Sequence, residues 1–162
     1  MIFVAVGTQK FEFNRLIEKV DELVESGDIE EEVFAQIGVC SYRPKHYEYK
    51  TFMPKDIMMG WMEKADIVIT HAGTGMIMEA LDMGKKVIAV PRKAEYGEHV
   101  DDHQFEIVRA LSSKNIIEPA YDTDELAEAI RRVKVTEYKK YKSTRKQVVD
   151  QLDAWIREYL GA

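Results

Sequence analysis

Residues 66–81 read DIVITHAGTGMIMEAL and contain the clearest secondary-structure signals in the chain. Residues 66–70 contain a short apolar run, which is typical of a strand buried on both faces of a parallel sheet. The small-residue turn HAGTG follows at residues 71–75, and a helix is predicted over residues 74–83 with Gly84 at its end. A helix that begins directly after a buried strand presents unsatisfied N–H groups and a positive dipole end. The stretch therefore predicts a strand–turn–helix unit with an anion-binding site at the start of the helix.

The same alternation extends in both directions from this unit. Further strands are predicted at residues 2–6, 33–39, 47–52, 86–90 and 115–117, and further helices at residues 14–26, 54–64, 100–112, 123–133 and 136–160. Strands that alternate with helices of about a dozen residues favour right-handed βαβ units. The predicted fold class is α/β, a Rossmann-like, mostly parallel sheet flanked by helices. Such sheets bind ligands beyond the carboxyl ends of their strands, so the residues directly after strands are the candidates for function.

Composition limits the classes of function. The 162 residues fit one domain, and the net charge of −6 argues against a nucleic-acid-binding protein. The single cysteine, Cys40, allows no disulfide within the chain and is interpreted as a small buried hydrophobe. No apolar run reaches the roughly 18 residues of a membrane span, and the first residues are interpreted as a core strand and not as a signal peptide. A cytoplasmic location is expected.

The first strand is followed by Gly7 and Thr8. A glycine there allows backbone N–H groups to approach an anion, although a plain tight turn explains it equally well. The turn does not match G-x-G-x-x-G, and the second strand does not end in an acidic residue. NAD binding is therefore disfavoured.

The turn after residue 70 carries the sharper prediction. Its small residues leave room for a ligand, and Thr74 adds a hydroxyl donor, so the turn is suited to a diphosphate. Glu79 follows Gly75 by about one helical turn and can accept hydrogen bonds from two ribose hydroxyls in the same cleft. The alternative is that Glu79 is solvated and the glycines only pack the helix on the strand.

A third polar segment, PRKAEYGEHVDDHQFE at residues 91–106, follows the strand at 86–90. His99 and His103 have the spacing of a metal-binding pair, but no third ligand is obvious. A solvated loop and a cluster that binds a polar molecule such as a sugar are the other two interpretations.

Together these motifs resemble the C-terminal domain of family 28 glycosyltransferases. The resemblance rests on GT-x-x-F near residue 7, F-M-P at 52–54, ADIVITHAGTGMIMEAL at 65–81, VIAVPR at 87–92 and GEHVDDHQ at 97–104, and covers about residues 2–130. It is strongest to stand-alone versions that act as one subunit of two-subunit transferases, including those of N-glycan precursor and bacterial exopolysaccharide synthesis. It implies one half of a GT-B enzyme.

The resemblance implies a role for each matching residue. The residues implied to bind the UDP-sugar donor are Gly7, Thr8, Phe52, Met53, His71, Gly73, Thr74, Gly75, Glu79, Asp102, His103 and Gln104. Phe52 and Met53 would border the uracil, while Asp102 and Gln104 would contact the sugar. The catalytic candidates are His71, Glu98 and His99, unless the base comes from a partner.

The implied reaction is the inverting transfer of a sugar from a UDP-sugar to a lipid-linked saccharide acceptor. No obligatory metal or other cofactor is implied. A membrane-anchored, acceptor-binding subunit would complete the active site and hold the chain at the cytoplasmic face of the membrane. The alternatives are a nucleotide-processing hydrolase with a Gly-Thr…Glu turn and a non-catalytic nucleotide-sugar-binding protein.

The end of the chain is predicted to form a separate element. We expect residues 1–135 to form the nucleotide-sugar-binding domain and residues 136–162 an amphipathic helix. Its apolar stripe comprises Tyr138, Tyr141, Val148, Leu152, Trp155 and Tyr159. Residues 131–146 contain eight Lys or Arg and one Glu, a local charge of +7. This helix packs on its own domain, on a partner subunit or near an anionic membrane surface.

Overall fold

The computed structural model describes residues 1–140 and 154–158. The strands are β1 (Ile2–Ala5), β2 (Val33–Gln36), β3 (Glu48–Lys50), β4 (Ile67–His71), β5 (Lys86–Val90) and β6 (Glu118–Pro119). The helices are α1 (Asn14–Ser26), α2 (Lys55–Lys64), α3 (Thr74–Asp82), α4 (His103–Ser113) and α5 (Leu126–Val135). Single 3₁₀ turns lie at Ala94–Tyr96 and Thr123–Glu125.

All six strands form one parallel sheet in the order β3-β2-β1-β4-β5-β6. The chain winds outward from β1 in one direction and then from β4 in the other. The strand order therefore reverses between β1 and β4, and ligands of such sheets bind in the crevice beyond this point. The predicted Rossmann-like parallel fold is confirmed.

Each face of the sheet is covered by helices. Alternate strand residues such as Val4 and Ile69 pack with α1 and α5, whereas Phe3 and Val68 pack with α2, α3 and α4 on the opposite face. Strands buried on both faces need continuous apolar runs. This is why the short runs in the sequence located the central strands correctly.

Local signals explain several boundaries. Gly27 ends α1 with a φ of 83°, in the left-handed region that glycine adopts without strain. Asp122 and Glu125 form a capping box ahead of α5. Pro54 precedes the first turn of α2.

Several predicted boundaries are wrong, and two of them have a clear local cause. The helix expected from residue 100 begins at His103, because the segment before it turns through contacts with the Asp101 and Asp102 carboxylates. The strand expected at residues 115–117 lies at Glu118–Pro119. Asn115 instead has a φ of 57°, and its N–H donates to the Ser112 carbonyl to close α4.

The predicted C-terminal helix does not start where expected. Residues 136–140 are not helical, and Thr136 is extended with ψ of 136°. This segment is held beside β6, where Tyr138 donates to Glu118 and the Lys139 N–H donates to the Asn115 carbonyl. Residues 154–158 are helical, and Ile156 packs against the face that carries α2, α3 and α4. The remainder of the predicted helix, residues 141–153 and 159–162, lies outside the described residues.

The two-part division at residue 135 stays a prediction, although α5 ends there. Over residues 1–140 and 154–158, no helix is both long enough and apolar enough to cross a bilayer.

Candidate functional site

The start of α3 lies at the reversal point of the sheet. Gly73 is the N-cap with an extended backbone (φ −77°, ψ 123°), and no side chain caps the helix. The first turn contains no acidic residue. The N–H groups of Thr74 and Gly75 have no acceptor within the helix, and the helix dipole adds partial positive charge. This helix start has the physical properties of an anion-binding site.

The His71 side chain lies between the two turns that border the crevice. A Cβ added to Gly7 would lie 2.7 Å from Nε2 of His71, and one added to Gly73 would lie 2.4 Å from Cε1 and 2.8 Å from Nε2. Such distances are far below ordinary van der Waals contact. Glycine is therefore required at both positions, because the backbone must pass against the imidazole ring.

His71 is held as a neutral imidazole. Its side chain is almost fully buried, and burial lowers its pKa to about 3, with Arg92 and His99 adding charge repulsion. Nδ1 of His71 lies 3.4 Å from Nε2 of Gln104. Near neutral pH the ring therefore offers one N–H donor and one lone pair to its surroundings.

The turn after β1 is fixed by a buried amide. Gln36 accepts a hydrogen bond from the Gly7 N–H at 3.0 Å and donates to the carbonyls of Gly7 and Thr51. Gly7 has a φ of 81° and Gly38 a φ of 59°. The Gly7 N–H is therefore used internally and is not available to a ligand. The glycine is needed instead for the tight turn and for the close approach of the backbone to His71. Thr8 directly follows it at the crevice.

Glu79 lies on α3, one turn beyond the helix start. Its carboxylate is 3.5 Å from Nζ of Lys55, at the start of α2, and is 17% exposed. The Lys55 side chain is 77% exposed. Phe52 is exposed, whereas Met53 is half-buried against the face that carries α2, α3 and α4. The predicted uracil residues therefore lie just before α2, and the predicted ribose residue lies within α3.

Arg92 organises the loops around the crevice from inside the protein. Arg92 is 1% exposed, and its guanidinium donates to the carbonyls of Val6, Phe11 and Glu98. It also lies 4.9 Å from the centre of the Phe13 ring. A single buried cation therefore ties the segment after β1 to the segment after β5.

Glu98, a catalytic candidate, is engaged in structural contacts. Both carboxylate oxygens accept from Arg15 at 3.0 Å in a bidentate pair, and one also accepts from the Lys93 N–H. Arg15 and Lys93 in turn contact Asp122. Glu98 is 3% exposed, so its carboxylate is enclosed by this network and does not face open solvent.

Asp101 brings together two of the predicted histidines. Nδ1 of His99 and Nδ1 of His103 each lie 3.2 Å from one of its carboxylate oxygens. The backbone N–H of Asp101 donates to Nδ1 of His99 at 3.3 Å, so this ring nitrogen is an acceptor in the structure. Asp102 accepts from the Ala94 N–H. Among residues 1–140 and 154–158, no group of three or more metal-ligating side chains is assembled.

Three functional candidates were missed by the sequence analysis. Gln36 interrupts the apolar run VFAQIGV, which was a usable signal for a buried polar role. Arg92 follows Pro91 directly after a buried strand, another polar residue at a strand end. Arg15 carries no such signal, since it sits on an ordinary amphipathic helix.

Comparison with known proteins gives a match to a family model. Residues 1–155 match the model described as "Glycosyltransferase family 28 C-terminal domain". A UDP-N-acetylglucosamine transferase subunit ALG13 of Yarrowia lipolytica is 38% identical over 69 residues, 43% of this chain and 33% of the relative. The mouse ALG13 is 30% identical over 119 residues, 67% of this chain and 10% of the relative. The chain thus spans a third or less of these relatives.

Solved structures show the same architecture. An NMR structure of ALG13 superposes with a TM-score of 0.63 at 16% identity, covering 94% of both chains. The crystal structure of Acinetobacter baumannii MurG gives a TM-score of 0.58 at 17% identity, over 80% of this chain and 40% of that chain. At these identities the likeness concerns the fold alone.

Proposed function

This chain belongs to the glycosyltransferase family 28 C-terminal domain family, and from that premise we propose that it is the donor-binding, catalytic subunit of an inverting glycosyltransferase. It transfers a sugar from a UDP-sugar to a lipid-linked saccharide acceptor during glycan or polysaccharide precursor synthesis. A membrane-anchored subunit binds the acceptor and holds this chain at the cytoplasmic face of the membrane. The family membership supports the reaction type.

One observation carries the proposal: the uncapped start of α3 lies beside the Gly7 turn at the reversal point of the sheet. A diphosphate at this position accepts hydrogen bonds from the free N–H groups and the Thr74 hydroxyl. The positive end of the helix dipole replaces a metal ion as the anion stabiliser.

The rest of the donor follows from the position of the diphosphate. Glu79 accepts hydrogen bonds from the ribose hydroxyls, and the exposed ring of Phe52 with the neighbouring Met53 borders the uracil. Asp102 and His103, at the start of α4, face the sugar. Gly73 and Gly75 keep side chains away from the phosphates.

The chemistry is a displacement at the anomeric carbon. The acceptor hydroxyl oxygen forms a bond to that carbon, the bond to the UDP oxygen breaks, and the acceptor proton passes to a base. Hydrogen bonds that strengthen as charge builds on the departing diphosphate accelerate this step. His99 is the base candidate of this chain unless the base comes from the partner, because the Asp101 carboxylate lies 3.2 Å from its Nδ1 and would stabilise the imidazolium that forms. Glu98 is less suited, since Arg15 occupies both its oxygens.

The relatives support a two-subunit assembly. ALG13 of yeast and mouse is described as a UDP-N-acetylglucosamine transferase subunit, which suggests a hexosyltransferase that is active only with a partner. The local charge of +7 over residues 131–146 suits a place near an anionic membrane surface. Tyr138 and Ile156 pack on the chain's own domain, and we propose that the exposed basic residues between positions 131 and 140 face the partner or the membrane.

Ligand-dependent melting tests the donor class. A ligand that binds only the folded state adds about 2.7 kcal/mol to the free energy of unfolding when its concentration is 100 times its Kd. The melting temperature rises as a result. UDP and UDP-sugars are expected to raise it, whereas AMP and CMP are not. Stabilisation by AMP or CMP alone would favour a nucleotide-processing hydrolase.

Glu79→Gln tests the ribose contact. Loss of hydrogen bonds to a charged group costs about 1.5–3 kcal/mol, so calorimetry is expected to show UDP affinity reduced by roughly 10- to 150-fold with the melting temperature nearly unchanged. The exposed Glu63, on α2, provides the matched control Glu63→Gln, which is expected to bind UDP normally. Equal affinities in the two variants would remove Glu79 from the site.

Transfer activity tests the catalytic role. The full chain, co-expressed with a candidate membrane-anchored partner, is expected to transfer sugar from a UDP-sugar to a lipid-linked acceptor. Binding of UDP-sugar without transfer, whichever partner is supplied, would favour a non-catalytic nucleotide-sugar-binding protein.

A further inference from the structure

The orientation of the Gln104 carboxamide is fixed by the backbone. Gln104 is the second residue of α4, is 4% exposed, and has its Oε1 atom 3.0 Å from the backbone nitrogen of Arg92. A backbone N–H is only a donor, so the oxygen of the carboxamide must point toward it. The NH₂ group consequently points the other way.

The other end of the carboxamide meets the imidazole of His71. Nε2 of Gln104 lies 3.4 Å from Nδ1 of His71. An NH₂ group is only a donor, so Nδ1 must be an acceptor and carries no proton. A neutral imidazole has one ring N–H, which is therefore on Nε2.

Nε2 is the ring nitrogen that lies next to both turns that border the crevice. It lies at the shortest distance from a Cβ placed on Gly7, and close to one placed on Gly73, so it sits between the two turns that border the reversal point. A protonated Nε2 presents a hydrogen-bond donor there. The other tautomer would present a lone pair, which repels phosphate oxygens.

We propose that Gln104 is a positioning residue that locks His71 in its Nε2–H tautomer, so that a neutral donor faces the diphosphate. This inference rests on the proposed function and deepens it. It also changes the role expected of Gln104, whose carboxamide is used by Arg92 and His71 and not by the donor sugar. Arg92 contributes by presenting the N–H that orients the carboxamide.

The tautomer can be measured directly. In ¹⁵N-histidine-labelled full-length protein near pH 7, long-range ¹H–¹⁵N spectra report which ring nitrogen carries the proton, and His71→Asn assigns the His71 signals. We expect a proton on Nε2. In Gln104→Glu the carboxylate accepts where the NH₂ group donated, so a proton is expected to appear on Nδ1. His46, which contacts Asp21 elsewhere in the fold, serves as the internal control and should not change.

A proton on Nδ1 of the wild-type ring overturns the inference. An unchanged Nε2–H tautomer in Gln104→Glu overturns it too, because a residue that only packs would leave the tautomer as it was.

Binding separates the tautomer role from a sugar contact. Gln104→Met keeps the volume but removes the donor, and is expected to weaken UDP and UDP-N-acetylglucosamine by the same factor, about 2- to 12-fold. A loss confined to the UDP-sugar would show that Gln104 reads the sugar and would overturn the inference. If UDP binds neither the wild type nor the variant, the proposed function and the anion role fail together. A wrong tautomer in a protein that binds UDP overturns only the role of Gln104.

Discussion

Separate replacement of Gly73 and Gly75 by alanine should distinguish the effect of these glycines on folding stability from their effect on UDP binding. A Cβ at Gly73 would meet Cε1 of His71 at 2.4 Å, whereas a Cβ at Gly75 would meet no atom of the described residues within 4 Å. The two glycines are only two residues apart. Each variant adds one methyl group to the same turn, so the contacts of the two added groups can be compared directly.

The expected sizes follow from these contacts. Overpacking of a buried site costs about 1–3 kcal/mol, so Gly73→Ala is expected to lower the melting temperature by roughly 2–12 °C in a chain of this size. Gly75→Ala restricts the unfolded chain without a clash and is expected to stabilise the protein by up to about 1 kcal/mol, a rise of roughly 1–4 °C. The two changes have opposite signs.

The effect of Gly75→Ala on UDP binding is expected to be opposite to its effect on stability. If the diphosphate sits against the start of α3, a methyl group at Gly75 occupies space that the phosphates need, and Gly75→Ala should lose most of its UDP affinity while gaining stability. Scanning calorimetry without ligand and titration calorimetry with UDP measure the two effects. Normal UDP binding by Gly75→Ala would refute the diphosphate position. An unchanged melting temperature in Gly73→Ala would refute the close packing against His71.

Two further predictions concern the charged groups. Glu98→Gln is expected to destabilise the fold by about 1–3 kcal/mol, because it weakens the buried ion pair with Arg15, and urea unfolding should show a lower midpoint. A double-mutant cycle with Arg15→Met should be non-additive. Loss of transfer activity in a fully stable Glu98→Gln protein would instead indicate a catalytic role. Burial raises the pKa of Asp21, but hydrogen bonds from Tyr42 and from the backbone and ring of His46 outweigh it and leave the pKa below its usual value. The folded state thus binds the Asp21 proton less readily than the unfolded state. The ionised Asp21 carboxylate therefore stabilises the fold above about pH 4, and this stabilisation is lost as the pH falls through the folded-state pKa. In urea unfolding from pH 6 to 2.5, Asp21→Asn should lose less stability than the wild type, and parallel curves would contradict this reasoning.

The sequence was sufficient to predict the strands, turns and helices that depend on neighbouring residues. Short apolar runs located β1, β4 and β5, because a strand buried on both faces must be apolar throughout. The turn at residues 71–75 and the open start of α3 were likewise predictable, since strand, turn and helix signals lie next to one another in the chain. Failures occurred where turn chemistry competes with periodicity, as at Asn115 and at the start of α4.

The sequence alone thus determined the parallel α/β fold and the place of the uncapped helix start after β4, both of which follow from neighbouring residues. The tertiary structure decided what surrounds that helix start: Gln36 reaches Gly7 across 29 positions, Gln104 reaches His71 across 33, and Arg92 reaches Val6 across 86. Partners so distant along the chain are chosen by the order of strands in the sheet, which brings the ends of β1, β4 and β5 together. A side chain can be given a role from its local pattern, but whether it faces the ligand or another side chain is settled only when those strands are adjacent.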